Sequence, residues 1–117
     1  MPFFIERKDT MKTSELTGAA LDWAVAKLEG AELYISYGAA CRVGGWIDYS
    51  TDWSQGGPII EREGIRIVKV APTVWGAVYS SGDIGREHFA TTPLIATMRC
   101  YVASKLGDEI DLPRELT

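Results

Sequence analysis

Two cysteines and one histidine are all the thiols and imidazoles that 117 residues offer. Cys41 and Cys100 lie far apart, and His88 is the lone histidine. Without help from carboxylates they cannot close a tetrahedral zinc site, so no metal is expected. Nothing marks secretion, and the two cysteines read as buried thiols rather than as a disulfide. Basic charge is short as well. Twelve Lys and Arg stand against sixteen Asp and Glu, giving a net charge of −4. Duplex binding needs a basic face to neutralise phosphates, so it is not expected, and the acidic excess is too mild for a DNA mimic. No uninterrupted apolar run reaches the roughly 18 residues of a membrane span. The opening MPFFIERKDT lacks the layout of a signal peptide, because charge follows its short apolar run instead of preceding it. Repeats and low-complexity tracts are missing too.

What is present is ordinary for a soluble domain: 46% apolar and 24% charged residues. The length suits one domain that needs no staple. Residues 1–13 read as a loosely ordered lead-in and 14–117 as the domain. Met11 is a plausible natural start, because the amphipathic pattern begins just after it.

Three helices are expected, over 14–29, 52–63 and 93–106. In the first, Ser14 or Thr17 caps, Gly30 stops, and Leu16, Ala20, Ala24 and Leu28 stack on one face. Glu15, Asp22 and Glu29 fall opposite, seven apart, as a solvated face. The last helix has Thr92 as cap, Pro93 at the first helical position, and an apolar stripe of Leu94, Ile95, Met98, Tyr101, Val102 and Leu106. Lys105 suits its final turn, and Gly107 closes it. Between the helices, residues 32–37, 65–70 and 74–79 read as strands of one small antiparallel sheet. AACRVGGWID reads as a loop or ragged edge, 80–91 as a surface loop, and DEIDLPREL as a tail that packs Ile110 and Leu112 on the core. The fold class is α+β, a small antiparallel sheet packed with about three helices.

YSTDWSQGGPIIEREGI, residues 49–65, is the least ordinary stretch. It lacks the GxxxxGK[ST] order of a phosphate loop, and Pro58 removes a donor. GGPIIERE faintly echoes a Nudix box without the later glutamate cluster. A helix fits better, with an irregular loop as the rival: Ser50, Thr51 and Asp52 are all good N-caps, and Trp53, Gly57, Ile60 and Gly64 share one face. Gly56 and Gly57 would admit a close neighbour, and Pro58 would kink the helix.

MKTSELTGAALDWAVAKLEG, YSTDWSQGGPIIEREGI and TPLIATMRCYVASKLGDEIDLPREL, in this order over residues 11–117, resemble the NinX-like family of small tailed-phage and prophage proteins. The last two blocks also resemble the wider group of small phage α-β-α sandwich domains. The resemblance implies a phage or prophage accessory gene and a place in the host cytoplasm, and assigns no activity. Residues 1–10 lie outside the pattern.

Candidate binding residues are Trp53 for stacking and Arg99 for an anion, with Asp52 and Thr92 beside them as helix caps. Glu61 and Glu63 are poorly spaced for a carboxylate pair, and His88 has no nucleophile near it in sequence. No cofactor is expected. The reading favoured is a non-enzymatic protein that binds a host or phage protein partner. The rival is a binder of a nucleotide-like small molecule that counters host immunity, with Trp53 and Arg99 in one concavity. A homo-oligomer stays open under both.

Overall fold

The computed structural model describes residues 8–36, 39–42, 45–80 and 87–116. In chain order the elements are β1 (Lys8–Lys12), α1 (Gly18–Leu28), β2 (Leu33–Ser36), β3 (Ala39–Arg42), β4 (Gly45–Trp46), α2 (Trp53–Glu63), β5 (Ile65–Ala71), β6 (Val74–Tyr79), β7 (His88–Ala90), α3 (Pro93–Leu106) and β8 (Glu109–Pro113). Short 3-10 turns cover Thr13–Glu15 and Arg114–Leu116. The fold is α+β.

Helix ends follow local chemistry. Asp52 Oδ1 accepts the Ser54 N–H at 2.9 Å, and Gly64 ends α2 in the left-handed region at φ 69°. Thr92 Oγ1 accepts the Ile95 N–H at 3.1 Å, Pro93 follows, and Gly107 closes α3 with its N–H on Ala103 O. The first helix is shorter than expected. It starts at Gly18, and Thr17 caps it without a side-chain bond. Pro58 sits inside α2, yet the helix runs unbroken from Trp53 to Glu63. The proline removes one backbone bond, to the Ser54 carbonyl, and the two segments expected on either side of it belong to one helix.

α3 is the hub, packed against α1, α2, β5, β6 and β7. Met98, Cys100, Tyr101 and Val102 are buried there together with Leu21 and Val25 of α1. Leu106, placed on the apolar stripe by sequence, is instead exposed at the helix end.

Three small antiparallel sheets replace the single one expected. β5 and β6 pair as foreseen, but β7 joins them rather than β2. β2 pairs with β3, and β3 with β4. A partner a few residues away closes a shorter loop than one thirty residues away, so of the two readings of AACRVGGWID the ragged edge holds: it supplies β3 and the two-residue edge strand β4. The surface loop expected over 80–91 contributes β7, and residues 81–86 lie outside the described part.

The lead-in reading of residues 1–13 needs correction from Lys8 onward; residues 1–7 are outside the described part. β1 pairs with β8, residue for residue from Lys8↔Pro113 to Lys12↔Glu109. Thr13 then donates its N–H to Asp108 O at 2.8 Å and its hydroxyl to Gly107 O at 2.7 Å. Ile110, Leu112 and Leu116 are buried in the core, as the tail reading required.

Candidate functional site

The segment between β4 and α2 is folded tightly on itself. Asp48 O accepts both the Thr51 and Asp52 N–H groups. The Gln55 side chain reaches back from α2, accepting the Asp48 N–H at 2.7 Å and donating to Trp46 O at 3.4 Å. This compact turn carries Trp46 at its entrance and Trp53 at its exit. Both rings face water: Trp46 is 70% exposed and Trp53 51%. In the adjoining sheet Tyr34 pairs with Cys41, and Cys41 with Trp46. The three therefore share one row on one face. Leu33 and Ile35 pack on the core, so alternation sends Tyr34 outward, where it is 51% exposed. Cys41 lies buried in the row between the two aromatics. Sequence reasoning found Trp53 but not Trp46 or Tyr34. The strand register that aligns them is set by pairings that AACRVGGWID does not announce.

Asp52 and Thr92 act as caps, and their helix starts are neighbours. A Cβ on Gly56 of α2 would lie 2.6 Å from both Leu94 Cδ1 of α3 and Tyr49 O. Gly57 has nothing within 4 Å of such a Cβ. The buried face of α2 holds Gly56 and Ile59, one residue away from the face expected through Trp53 and Gly57.

Arg99 is not at this place. It lies five residues after Leu94, about 140° further round α3 at 3.6 residues per turn. Its Nε donates to Leu16 O at 2.7 Å and its Nη1 to Phe89 O at 2.8 Å. Burial holds its pKa below the usual guanidinium value. The guanidinium ties α1's approach to β7 rather than facing a ligand beside Trp53.

Two polar clusters went unseen in the sequence. Arg62 at the end of α2 makes a forked pair with Glu29, at 3.0 and 2.8 Å, and a third bond to Glu63 at 3.1 Å. Tyr101 OH donates to Glu29, Tyr79 OH to Glu63, and Lys105 pairs with Glu63 at 3.3 Å. The Arg62 bonds lower the Glu29 pKa, while burial raises Tyr79 to about 12. Burial would raise Glu63 too, but its bonds from Arg62, Tyr79 and Lys105 outweigh that and lower it. The cluster clamps α1, α2, α3 and β6 together and keeps both carboxylates charged. The second cluster is Asp22 of α1, expected on a solvated face but only 5% exposed. Its Oδ1 accepts the Ser50 N–H at 2.8 Å, holding the β4–α2 turn on α1. Burial raises its pKa to about 6, against the Ser50 bond and with a further push from Asp48.

His88 heads β7 and borders an open hollow of about 170 Å³ with Lys12, Thr13, Ser14, Asp108 and Glu109. Among the described residues no three His, Cys, Asp or Glu side chains converge to hold a metal ion. No helix among them is long and apolar enough to cross a membrane.

The class of protein is thus a small α+β domain with exposed aromatic residues on its β2–β4 sheet and at the start of its second helix. Its family can be stated. The family model for Bacteriophage P22, NinX matches residues 12–105, and the chain belongs to that family. The match takes in α1, α2 and all of α3 but its last residue, while most of β1 and the whole of β8 lie outside it. No curated protein sequence matches the chain.

Proposed function

We propose that this phage-family protein is a non-enzymatic accessory factor that binds a host or phage protein in the host cytoplasm. Binding runs through Tyr34, Trp46 and Trp53. The observation that supports it is the exposure of Trp46 and Trp53 at the two ends of one turn, with Tyr34 exposed in the same strand row as Trp46. Large amphipathic rings in water are what protein interfaces enrich, and charge is scarce at such centres. The Asp22–Ser50 and Gln55–Asp48 bonds hold the turn in place before any partner arrives, which lowers the ordering cost of association. A nucleotide-like ligand held between Trp53 and Arg99 has no comparable support, since two of the Arg99 nitrogens already serve backbone carbonyls.

The test is affinity capture from infected cells with the wild-type chain and with Trp46→Ala/Trp53→Ala. Both positions are exposed, so the variant keeps its fold, which circular dichroism verifies. A stoichiometric partner present with the wild type and lost with the variant is the expected result. An undiminished partner on the variant, or a nucleotide panel giving a thermal shift with no protein captured, would overturn the reading.

A further inference from the structure

The sheet β5–β6–β7 has one face on α3 and the other in water. Ile65 and Ala77 are buried on the inner side. The outer side alternates with it and carries Arg66, Val68 and Val70 from β5, Gly76 and Val78 from β6, and Phe89 from β7. Val68, Val70 and Phe89 are each about half exposed, at 45, 47 and 48%. Val68 pairs with Gly76, and Gly76 with Phe89. A Cβ on Gly76 would meet the Phe89 ring at 3.4 Å and Val70 Cγ1 at 3.6 Å. The two side chains therefore close over the glycine, and the apolar surface is continuous across all three strands.

The charges on this face are placed with a symmetry of their own. Arg66 pairs with Val78. Glu87 immediately precedes β7, and extending the Ala77↔His88 register by one step sets it opposite Val78 on the other side. Arg66 and Glu87 thus end one row at opposite edges of the sheet, about 10 Å apart at the usual strand spacing. Both are exposed, and neither forms an ion pair among the described residues.

We infer that this face packs against the same face of a second copy of the chain, about a two-fold axis parallel to the strands. Such an axis lays β6 on β6 and β5 on the other copy's β7. Arg66 of each copy then meets Glu87 of the other, and Val68 meets Phe89. The missing side chain of Gly76 makes room at the centre for the two phenyl rings. The result is an aligned sandwich of two sheets about 10 Å apart, with an apolar middle and two equivalent ion pairs at its rims. An interface of this isologous kind closes on itself and stops at a dimer. It leaves Tyr34, Trp46 and Trp53, on other elements, for a different partner, so it does not depend on the function proposed above.

Sedimentation of the full chain from micromolar to millimolar concentration tests this. A reversible monomer–dimer equilibrium is expected. Arg66→Glu alone and Glu87→Arg alone each set like charges together and should raise the dimer Kd about tenfold or more, and combining them should bring it back near the wild-type value. Val68→Lys should abolish the dimer while leaving the circular dichroism spectrum unchanged. Monomer mass at every concentration would overturn the inference, as would a dimer indifferent to both single reversals or weakened further by their combination.

Discussion

Gly56 of α2 lies so close to Leu94 of α3 that even a methyl group would not fit between the helices. The added carbon would sit 2.6 Å from Leu94 Cδ1 and equally near Tyr49 O. Leu94 can turn aside, but a backbone carbonyl cannot without moving the turn that Asp22 holds. Gly56→Ala should therefore destabilise the domain by about 1–3 kcal/mol, the usual cost of overpacking. Its neighbour should be more tolerant. Nothing beyond its own chain neighbours lies within 4 Å of a Cβ on Gly57, so Gly57→Ala should change stability by less than about 1 kcal/mol, the gain in helix propensity being offset by crowding against the ring of Pro58. Urea denaturation of the two variants settles the pair, and equal effects would mean that the helix face is misassigned.

Arg99 yields a second prediction. Arg99→Ala removes the donors to Leu16 O and Phe89 O, leaving the partly buried Leu16 carbonyl without its partner while the exposed Phe89 carbonyl turns to water. A loss of about 1–3 kcal/mol is expected in denaturant melts. Arg99→Lys should recover less than half of it, because one ammonium cannot reproduce the fork that spans both carbonyls. An Arg99→Ala protein that melts like the wild type would return this side chain to the surface and to ligand duty.

These two residues show what the sequence made legible. Caps, glycine stops and the 65–70/74–79 hairpin are local signals, and Asp52, Thr92, Gly64 and Gly107 stand where such signals place them. Distance along the chain defeats the rest. KDTMK has no apolar alternation and finds its partner a hundred residues on, so β1 reads as a lead-in. Asp22 shares a heptad stripe with Glu15 and Glu29. Only Asp22 is fully buried, because the β4–α2 turn folds over it, while Glu29 is drawn into the Arg62 clamp. The Gly56 and Gly57 faces differ by a single residue, too fine for a pattern containing two adjacent glycines. Of the candidate surface, Trp53 was visible as an aromatic among polar neighbours. Tyr34 and Trp46 are set in one row only by the β2–β3–β4 register.

The β1–β8 pairing carries a third prediction. Deleting residues 1–10 removes Lys8, Asp9 and Thr10, whose partners Asp111, Leu112 and Pro113 then face water along one edge. Thr10 also donates its hydroxyl to Asp111 at 2.7 Å. Leu112 is fully buried in the intact chain, and loosening its strand exposes it. The truncated protein should melt several degrees lower, at about 4 °C per kcal/mol for a domain near this size. An unchanged melting temperature would show that β8 holds to the core without its partner.

The last prediction concerns pH and turns on Asp22. In the unfolded chain this carboxyl has an ordinary value of 3.8, whereas burial in the fold raises it to about 6. Between those values the folded state holds the proton more tightly than the unfolded one. The Asp22 contribution to stability is therefore full below 3.8 and lost as pH rises through 6, a difference of roughly 3 kcal/mol. Glu29, Glu63 and Asp52 work the other way. Their folded values are lowered, so the stability they supply is present at neutral pH and lost as pH falls through and below the ordinary carboxylate range. The two trends cross, and melting temperature should climb from pH 7 to a maximum near about pH 5 before falling in stronger acid. Asp22→Asn keeps an oxygen that accepts the Ser50 N–H but cannot ionise. It should melt higher than the wild type at pH 7, match it near pH 4, and show no climb between. A wild-type profile flat from pH 7 to 5, or an Asp22→Asn profile that still climbs, would place the titrating group elsewhere.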